Sequence, residues 1–111
     1  MNIRLSIDTD DRWLAFDLMG SSTVGEGTAT AISDGATVTV AAWHFRKALG
    51  LPETLELVLS FGTGVASGLV ANWLFGKLKG RNATLRIEEH WVEIEEGEIK
   101  RMISRVTERD E

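Results

Sequence analysis

The sequence predicts an α+β fold in which antiparallel β-hairpins pack on a long glycine-rich apolar helix and a C-terminal amphipathic helix. Three observations support this prediction. Apolar residues alternate with polar ones near residues 3–7, 28–41 and 83–95, which indicates strands. An uncharged stretch at residues 57–76 has the length of a helix. Apolar residues recur with helical spacing across residues 99–106.

The N-terminal half is expected to contain one strand, one hairpin and a short helix. The alternation at residues 3–7 is typical of a half-buried strand. Residues 12–19 fit either a short helix or a strand, and both interpretations stay open. Within the hairpin at residues 28–41, Asp34–Gly35 is a dipeptide that favours a tight turn. Residues 43–49 are predicted to form a helix that ends at a glycine.

The C-terminal half is expected to contain two helices separated by a hairpin. The first helix is predicted from about residue 53 to 79, since Pro52 suits the first helical turn. The hairpin covers residues 83–95 and turns near Glu89–His90. The last helix, at residues 98–109, is the clearest element because four apolar residues share one face: Ile99, Met102, Ile103 and Val106.

Composition limits the class of protein. With 111 residues, of which 43% are hydrophobic and 26% charged, we expect a single domain spanning residues 1–111. The chain contains no cysteine, which excludes disulfides, thiolate metal sites and thiol nucleophiles. Seventeen acidic residues against 12 basic ones do not favour nucleic-acid binding, because phosphate contacts require clustered lysine and arginine. The N-terminal segment lacks the apolar region of a secretion signal, so we expect a cytoplasmic protein.

Small residues recur every four positions along the predicted long helix. They are Ser60, Gly64, Gly68, Asn72 and Gly76. Such spacing places small side chains on one ridge of a helix and allows another helix to approach closely. We interpret this ridge as a candidate interface between copies of the chain.

The same stretch has two other interpretations. Its length without charge, followed by basic residues at 77–81, is typical of a membrane-spanning segment at about residues 55–76. Glycine, serine, threonine and asparagine supply nearly half of residues 57–76, however, which favours a helix buried in a soluble fold. A core helix is therefore the first interpretation, with self-association and membrane insertion as alternatives.

The sequence shows no catalytic group. Asp8 and Asp10 have the two-residue spacing found in phosphotransferases of the haloacid dehalogenase type, but no later lysine and acidic motif follows. They are interpreted as a hydrated turn. The acidic cluster at residues 88–98 is interpreted as a solvated face rather than a metal site, and no motif places a partner beside His44. We therefore expect no enzyme activity, no cofactor and no metal.

Three residues near the second hairpin are candidates for contact with another protein. Trp91 is out of phase with the apolar residues around it, so it is expected on the surface, where tryptophan is enriched in binding hot spots. Glu93 and Glu95 are expected on the solvent face of the same strand. This acidic face also suits a small inhibitor or immunity-type protein that masks a basic partner.

The second half of the chain resembles a known group of domains. A glycine-rich apolar helix at residues 57–76, a basic break, a hairpin at 83–95 and a closing helix at 98–109 follow in order. This order resembles the small effector-associated constant-component and protease-co-occurring domains of bacterial conflict systems, over residues 54–108. The resemblance implies a non-enzymatic adaptor that binds protein partners. We therefore expect a protein-interaction module, self-associating through the small-residue ridge.

Overall fold

The computed structural model describes residues 2–33, 35–44, 53–62 and 67–109. These residues form six strands and three helices, which confirms the α+β class. The elements follow in the order β1 (Asn2–Thr9), α1 (Leu14–Met19), β2 (Ala29–Ser33), β3 (Ala36–His44), β4 (Glu53–Phe61), α2 (Ser67–Leu78), β5 (Ala83–Ile87), β6 (His90–Val92) and α3 (Glu96–Arg109).

The six strands of the described residues form one antiparallel sheet in the order β2-β3-β4-β1-β5-β6. The N-terminal strand β1 therefore lies near the centre, between two strands that come much later in the chain. Leu5 of β1 is opposite Leu57 of β4 on one side and Ile87 of β5 on the other. The centre of the sheet thus depends on contacts between distant parts of the sequence.

Strands β1, β3, β4 and β5 bury alternate side chains on one face of the sheet, and the three helices cover that face. Because successive side chains of a strand point to opposite faces, the apolar residues of the period-two segments meet the helices in one core. The largest fully buried side chains are Ile3, Ile7, Leu14, Leu18, Leu55, Leu57, Leu59, Leu74, Leu78, Leu85, Ile87 and Ile99. The opposite face, which we call the open face, carries mainly polar and charged residues.

The prediction of one long helix over residues 53–79 is wrong. The first part of that stretch is strand β4, and helix α2 begins only at Ser67. β4 buries every second residue, namely Leu55, Leu57, Leu59 and Phe61. The physical reason is that β4 lies between β1 and β3, so its period-two apolar pattern is buried against the helices. Pro52 lies outside the described residues.

Residues 55–76 consequently do not form a continuous helix. Of the described residues in this range, 55–61 belong to β4 and 67–76 belong to α2, which has 12 residues in all. Among the described residues, no helix has the length and apolar character needed to cross a membrane.

Residues 12–19, for which helix and strand were both open, contain helix α1. Four of its residues are buried in the core: Leu14, Ala15, Leu18 and Met19. The Asp11 carboxylate accepts the backbone N–H of Trp13 at 3.0 Å, just before the first helical turn. Gly20 ends the helix with φ of +62°, a left-handed conformation that glycine adopts without steric cost.

The first hairpin is confirmed, since β2 pairs antiparallel with β3, although Asp34 of its turn lies outside the described residues. The prediction of a helix beginning at Trp43 is wrong for its first two residues, because Trp43 and His44 belong to β3. A register shift between Val40 and Ala42 keeps Trp43 opposite the core residue Leu55. The rest of that predicted helix, residues 45–49, lies outside the described residues.

The second hairpin is confirmed but is shorter than expected. β5 and β6 pair with Leu85 opposite Val92, and the turn occupies Glu88 and Glu89, one residue earlier than predicted. Within this turn Glu88 adopts a left-handed backbone conformation, with φ of +55°. Helix α3 is confirmed, with Ile99, Ile103 and Val106 buried on its inner face.

Candidate functional site

A groove opens at the edge of the sheet where β6 ends. β6 has three residues and pairs only with Leu85, Arg86 and Ile87 of β5, so the first two residues of β5 have no partner in β6. At Glu93 the chain leaves the sheet and enters a tight bend before α3. This groove has a volume of about 600 Å³, and we call it the edge groove; it is lined by Phe75, Leu78, Lys79, Gly80, Arg81, Ala83, Thr84, Leu85, Trp91, Val92, Glu93, Ile94 and Glu95.

The floor of the edge groove is apolar. Leu78 of α2 and Leu85 of β5 are buried beneath it, and Phe75 and Ile94 are half-buried at its sides. Trp91 stands at the groove with 63% of its surface exposed. Exposed apolar surface beside a concave apolar floor is typical of a protein-binding site.

The rim of the edge groove carries both signs of charge. Lys79 comes directly after α2, with its Nζ 5.9 Å from the centre of the Phe75 ring. Glu93 and Glu95 come from the connection between β6 and α3, and both are exposed. Within the described residues none of these three groups forms an ion pair, so they are available to a partner.

Arg81, also on the rim, is engaged inside the molecule. Its guanidinium donates to Asp17 and, at 2.7 Å, to Asp11, the residue that also bonds to the start of α1. These hydrogen bonds, the one to Asp17 first, raise the pKa of Arg81. Arg81 therefore fixes the end of α2 against α1 and holds one wall of the edge groove in place.

Trp91 also borders a second hollow, of about 310 Å³, which is formed with the outer side of α3. On the open face its ring contacts Arg86, whose guanidinium carbon lies 5.5 Å from the ring centre. Trp91 is thus the most accessible apolar group in this part of the molecule, with depressions on two sides.

Three of the eight predicted interface residues meet at the edge groove. Trp91, Glu93 and Glu95 all line it, and the predicted exposure of Trp91 is confirmed. Glu93 and Glu95 are exposed, but they lie in the connection between β6 and α3 rather than in a strand. The sequence did not predict that residues at the end of α2 would line the groove. Phe75 of α2 and Lys79, directly after it, reach this edge of the sheet only through tertiary packing.

The small-residue ridge is not a continuous helical stripe. Ser60 lies in β4, where its hydroxyl donates to the Asn2 side chain at 2.8 Å, and Gly64 lies outside the described residues. Gly68, Asn72 and Gly76 remain in α2. Gly68 lies against Lys100 of α3, whereas Asn72 and Gly76 are exposed.

Gly76 and Gly20 provide a matched test of backbone conformation. A Cβ at either position would have nothing within 4 Å, but only Gly20 has a positive φ. Gly76→Ala is expected to raise the free energy of unfolding by about 0.5–1 kcal/mol, because alanine favours the helix. Gly20→Ala should lower it, since alanine is strained at this φ. Urea denaturation would check both, and a change of the same sign would contradict this assignment.

The other candidates for chemistry make local contacts. Asp8 accepts the Thr54 hydroxyl at 2.7 Å, and Asp10 accepts the Asn82 amide. His44 lies 3.3 Å from the Glu56 carboxylate on the open face. In the described part of the chain, no three histidine or acidic side chains are grouped so that they could hold a metal ion.

No protein-family model, curated protein or solved structure shows a significant match to this chain.

Proposed function

We propose that the protein is a non-enzymatic, self-associating interaction module and that two copies bind through the edge groove. The observation that carries this proposal is the 63% exposure of Trp91 beside a groove of about 600 Å³ that has apolar and charged lining residues. Tryptophan is enriched among residues that dominate binding energy, since its large ring buries much apolar surface with little loss of side-chain entropy. Docking Trp91 in the edge groove of a second copy, against the half-buried Phe75 and Ile94, would remove apolar surface of both copies from water.

A second copy is the occupant that the rim charges favour. In a two-fold symmetric dimer both copies contribute the same surface patch. Two different residues of the patch can then contact each other across the interface, each from a different copy. Lys79 follows α2, whereas Glu93 and Glu95 lie between β6 and α3, and in the proposed dimer Lys79 of one copy contacts the glutamates of the other. This attraction offsets the repulsion expected between two chains that each carry a net charge of −5.

The cellular role that we propose is that of an adaptor in a cytoplasmic bacterial multi-component system. It is supported by the element order of residues 83–109, a hairpin followed by an amphipathic helix. The resemblance includes a glycine-rich helix. In this structure α2 corresponds to the second part of that helix, because residues 53–61 form the strand β4. Self-association would allow such an adaptor to bring two effector or sensor chains together.

Sedimentation velocity over a range of protein concentrations tests the proposal. The unmodified chain is expected to sediment as a dimer that dissociates on dilution. Trp91→Ala should raise the dissociation constant by about tenfold or more, in line with the loss of a hot-spot side chain. Trp13→Ala is the matched control, because Trp13 is also 63% exposed and lies beside α1, outside the edge groove.

Two results would contradict the proposal. A chain that stays monomeric at the highest concentration would exclude self-association and would instead favour the acidic inhibitor alternative, with Glu93 and Glu95 facing a basic partner. Equal effects of Trp91→Ala and Trp13→Ala would show that the dimer forms elsewhere. Circular dichroism of both variants should match the unmodified chain, since neither ring is buried in the core.

A further inference from the structure

The open face contains a depression that is separate from the edge groove. It lies over the central strands, on the side of the sheet away from the helices, and has a volume of about 430 Å³. Its lining is both polar and apolar and comes from four strands and the turn after β5: Arg4, Leu5, Ser6, Ala41, Glu56, Leu57, Val58, Arg86, Glu88 and Glu89. A volume of this size accommodates a small organic molecule.

Strand register places one row of side chains across this face. Ala42 of β3 is opposite Glu56, Glu56 is opposite Ser6, Ser6 is opposite Arg86, and Arg86 is opposite Trp91. Side chains directly opposite each other in antiparallel strands lie within contact distance. The row therefore brings a hydroxyl, a guanidinium and an aromatic ring together beside the depression.

Arg86 is the unusual member of this row. Arg4 pairs with Glu88 at 3.5 Å, and His44 pairs with Glu56 at 3.3 Å. Within the residues that the structure describes, the side chain of the half-buried Arg86 forms neither an ion pair nor a hydrogen bond, and its Nε is covered from solvent without an acceptor. A charged donor without an acceptor is costly, so this guanidinium is suited to bind an oxygen acceptor from outside the chain through its terminal N–H groups.

The contact with Trp91 prepares Arg86 to bind such an acceptor. With its guanidinium carbon 5.5 Å from the ring centre, the side chain is held by a cation–π contact that uses the face of the group and none of its N–H donors. The donors at the edge of the guanidinium match the two oxygens of a carboxylate. Ser6, opposite Arg86, supplies a further hydroxyl donor.

We propose that this depression is a binding site for a small organic acid, whose carboxylate is held by Arg86 and Ser6. The surrounding charges favour a carboxylate over a phosphate. Glu56, Glu88 and Glu89 also line the depression, and they repel a dianion more strongly than a group with one negative charge. The apolar surface of Ala41 and Val58 would contact the rest of the ligand.

Nuclear magnetic resonance titration of the purified chain tests this site with acetate as the probe. The Nε–H signal of Arg86 and the indole N–H signal of Trp91 are expected to shift and to saturate in the millimolar range. Sodium chloride at the same ionic strength should leave both signals nearly unchanged. Phosphate should bind more weakly than acetate, and tighter binding of phosphate would overturn the assignment to a carboxylate.

Variants separate this site from the edge groove. Arg86→Gln should weaken acetate binding by about tenfold or more, because hydrogen bonds to a charged group are lost. Arg86→Lys should restore it only in part, because lysine lacks the planar pair of donors. Arg105→Gln, which removes an exposed arginine on α3, should bind acetate normally. Absence of a saturable shift, or an unchanged affinity in Arg86→Gln, would overturn this proposal.

Discussion

Replacing Leu57 by alanine is expected to lower the free energy of unfolding by about 2–5 kcal/mol, the usual range for removing a buried leucine. Leu57 is 1% exposed in the middle of β4, with Leu5 opposite it in β1 and Val40 opposite it in β3. Alanine would leave a cavity among these side chains. Because the neighbouring strands are fixed by their hydrogen bonds, the core can close that cavity only in part.

Val58→Ala is the matched control for this prediction. Val58 is the next residue in β4, but its side chain is half-buried on the open face. Its loss should cost at most about 1 kcal/mol, the span of strand preferences measured in host proteins. Urea denaturation of both variants provides the comparison. Equal losses at the two positions would contradict the alternation of β4, since a strand buries one of two neighbours and exposes the other.

The second large effect is expected in α3. Ile103→Asp places a carboxylate where Ile103 is fully buried between α3 and the rest of the core. Burying a charge without a partner costs several kcal/mol, which is a large part of the roughly 5–15 kcal/mol that stabilises a typical domain. We expect this variant to be largely unfolded at neutral pH, as measured by circular dichroism and by the loss of dispersed amide signals.

Arg105→Asp is the control for this prediction. It tests whether the unfolding of Ile103→Asp is caused by the buried position or by the aspartate itself. Arg105 lies two residues away on the same helix but is exposed, so the aspartate would remain in water. This variant should stay folded, with a change in stability of about 0.5 kcal/mol or less, as for most surface substitutions. If Ile103→Asp were as stable as Arg105→Asp, the inner face of α3 would have been assigned incorrectly.

Elements whose patterns are local could be predicted from the amino-acid sequence. The alternation at residues 3–7 and the apolar stripe of residues 99–106 predicted β1 and α3, and both were confirmed. The hairpin at residues 28–41 was predicted from its turn and its flanking alternation. The exposure of Trp91 followed from its phase relative to Val92. In each case neighbouring residues alone carry the pattern, so no knowledge of distant contacts was needed.

Tertiary contacts determine the structure of residues 53–62 and 67–79 and the position of the candidate site. The uncharged composition of that stretch suits a buried strand as well as a helix, and the choice depended on pairing between Leu57 and Leu5, which are far apart in the chain. The edge groove likewise requires the end of α2 to meet β5 and the bend after β6, a contact that no local pattern encodes. Long-range pairing between strands and packing between layers therefore decided both the centre of the sheet and the surface proposed for function.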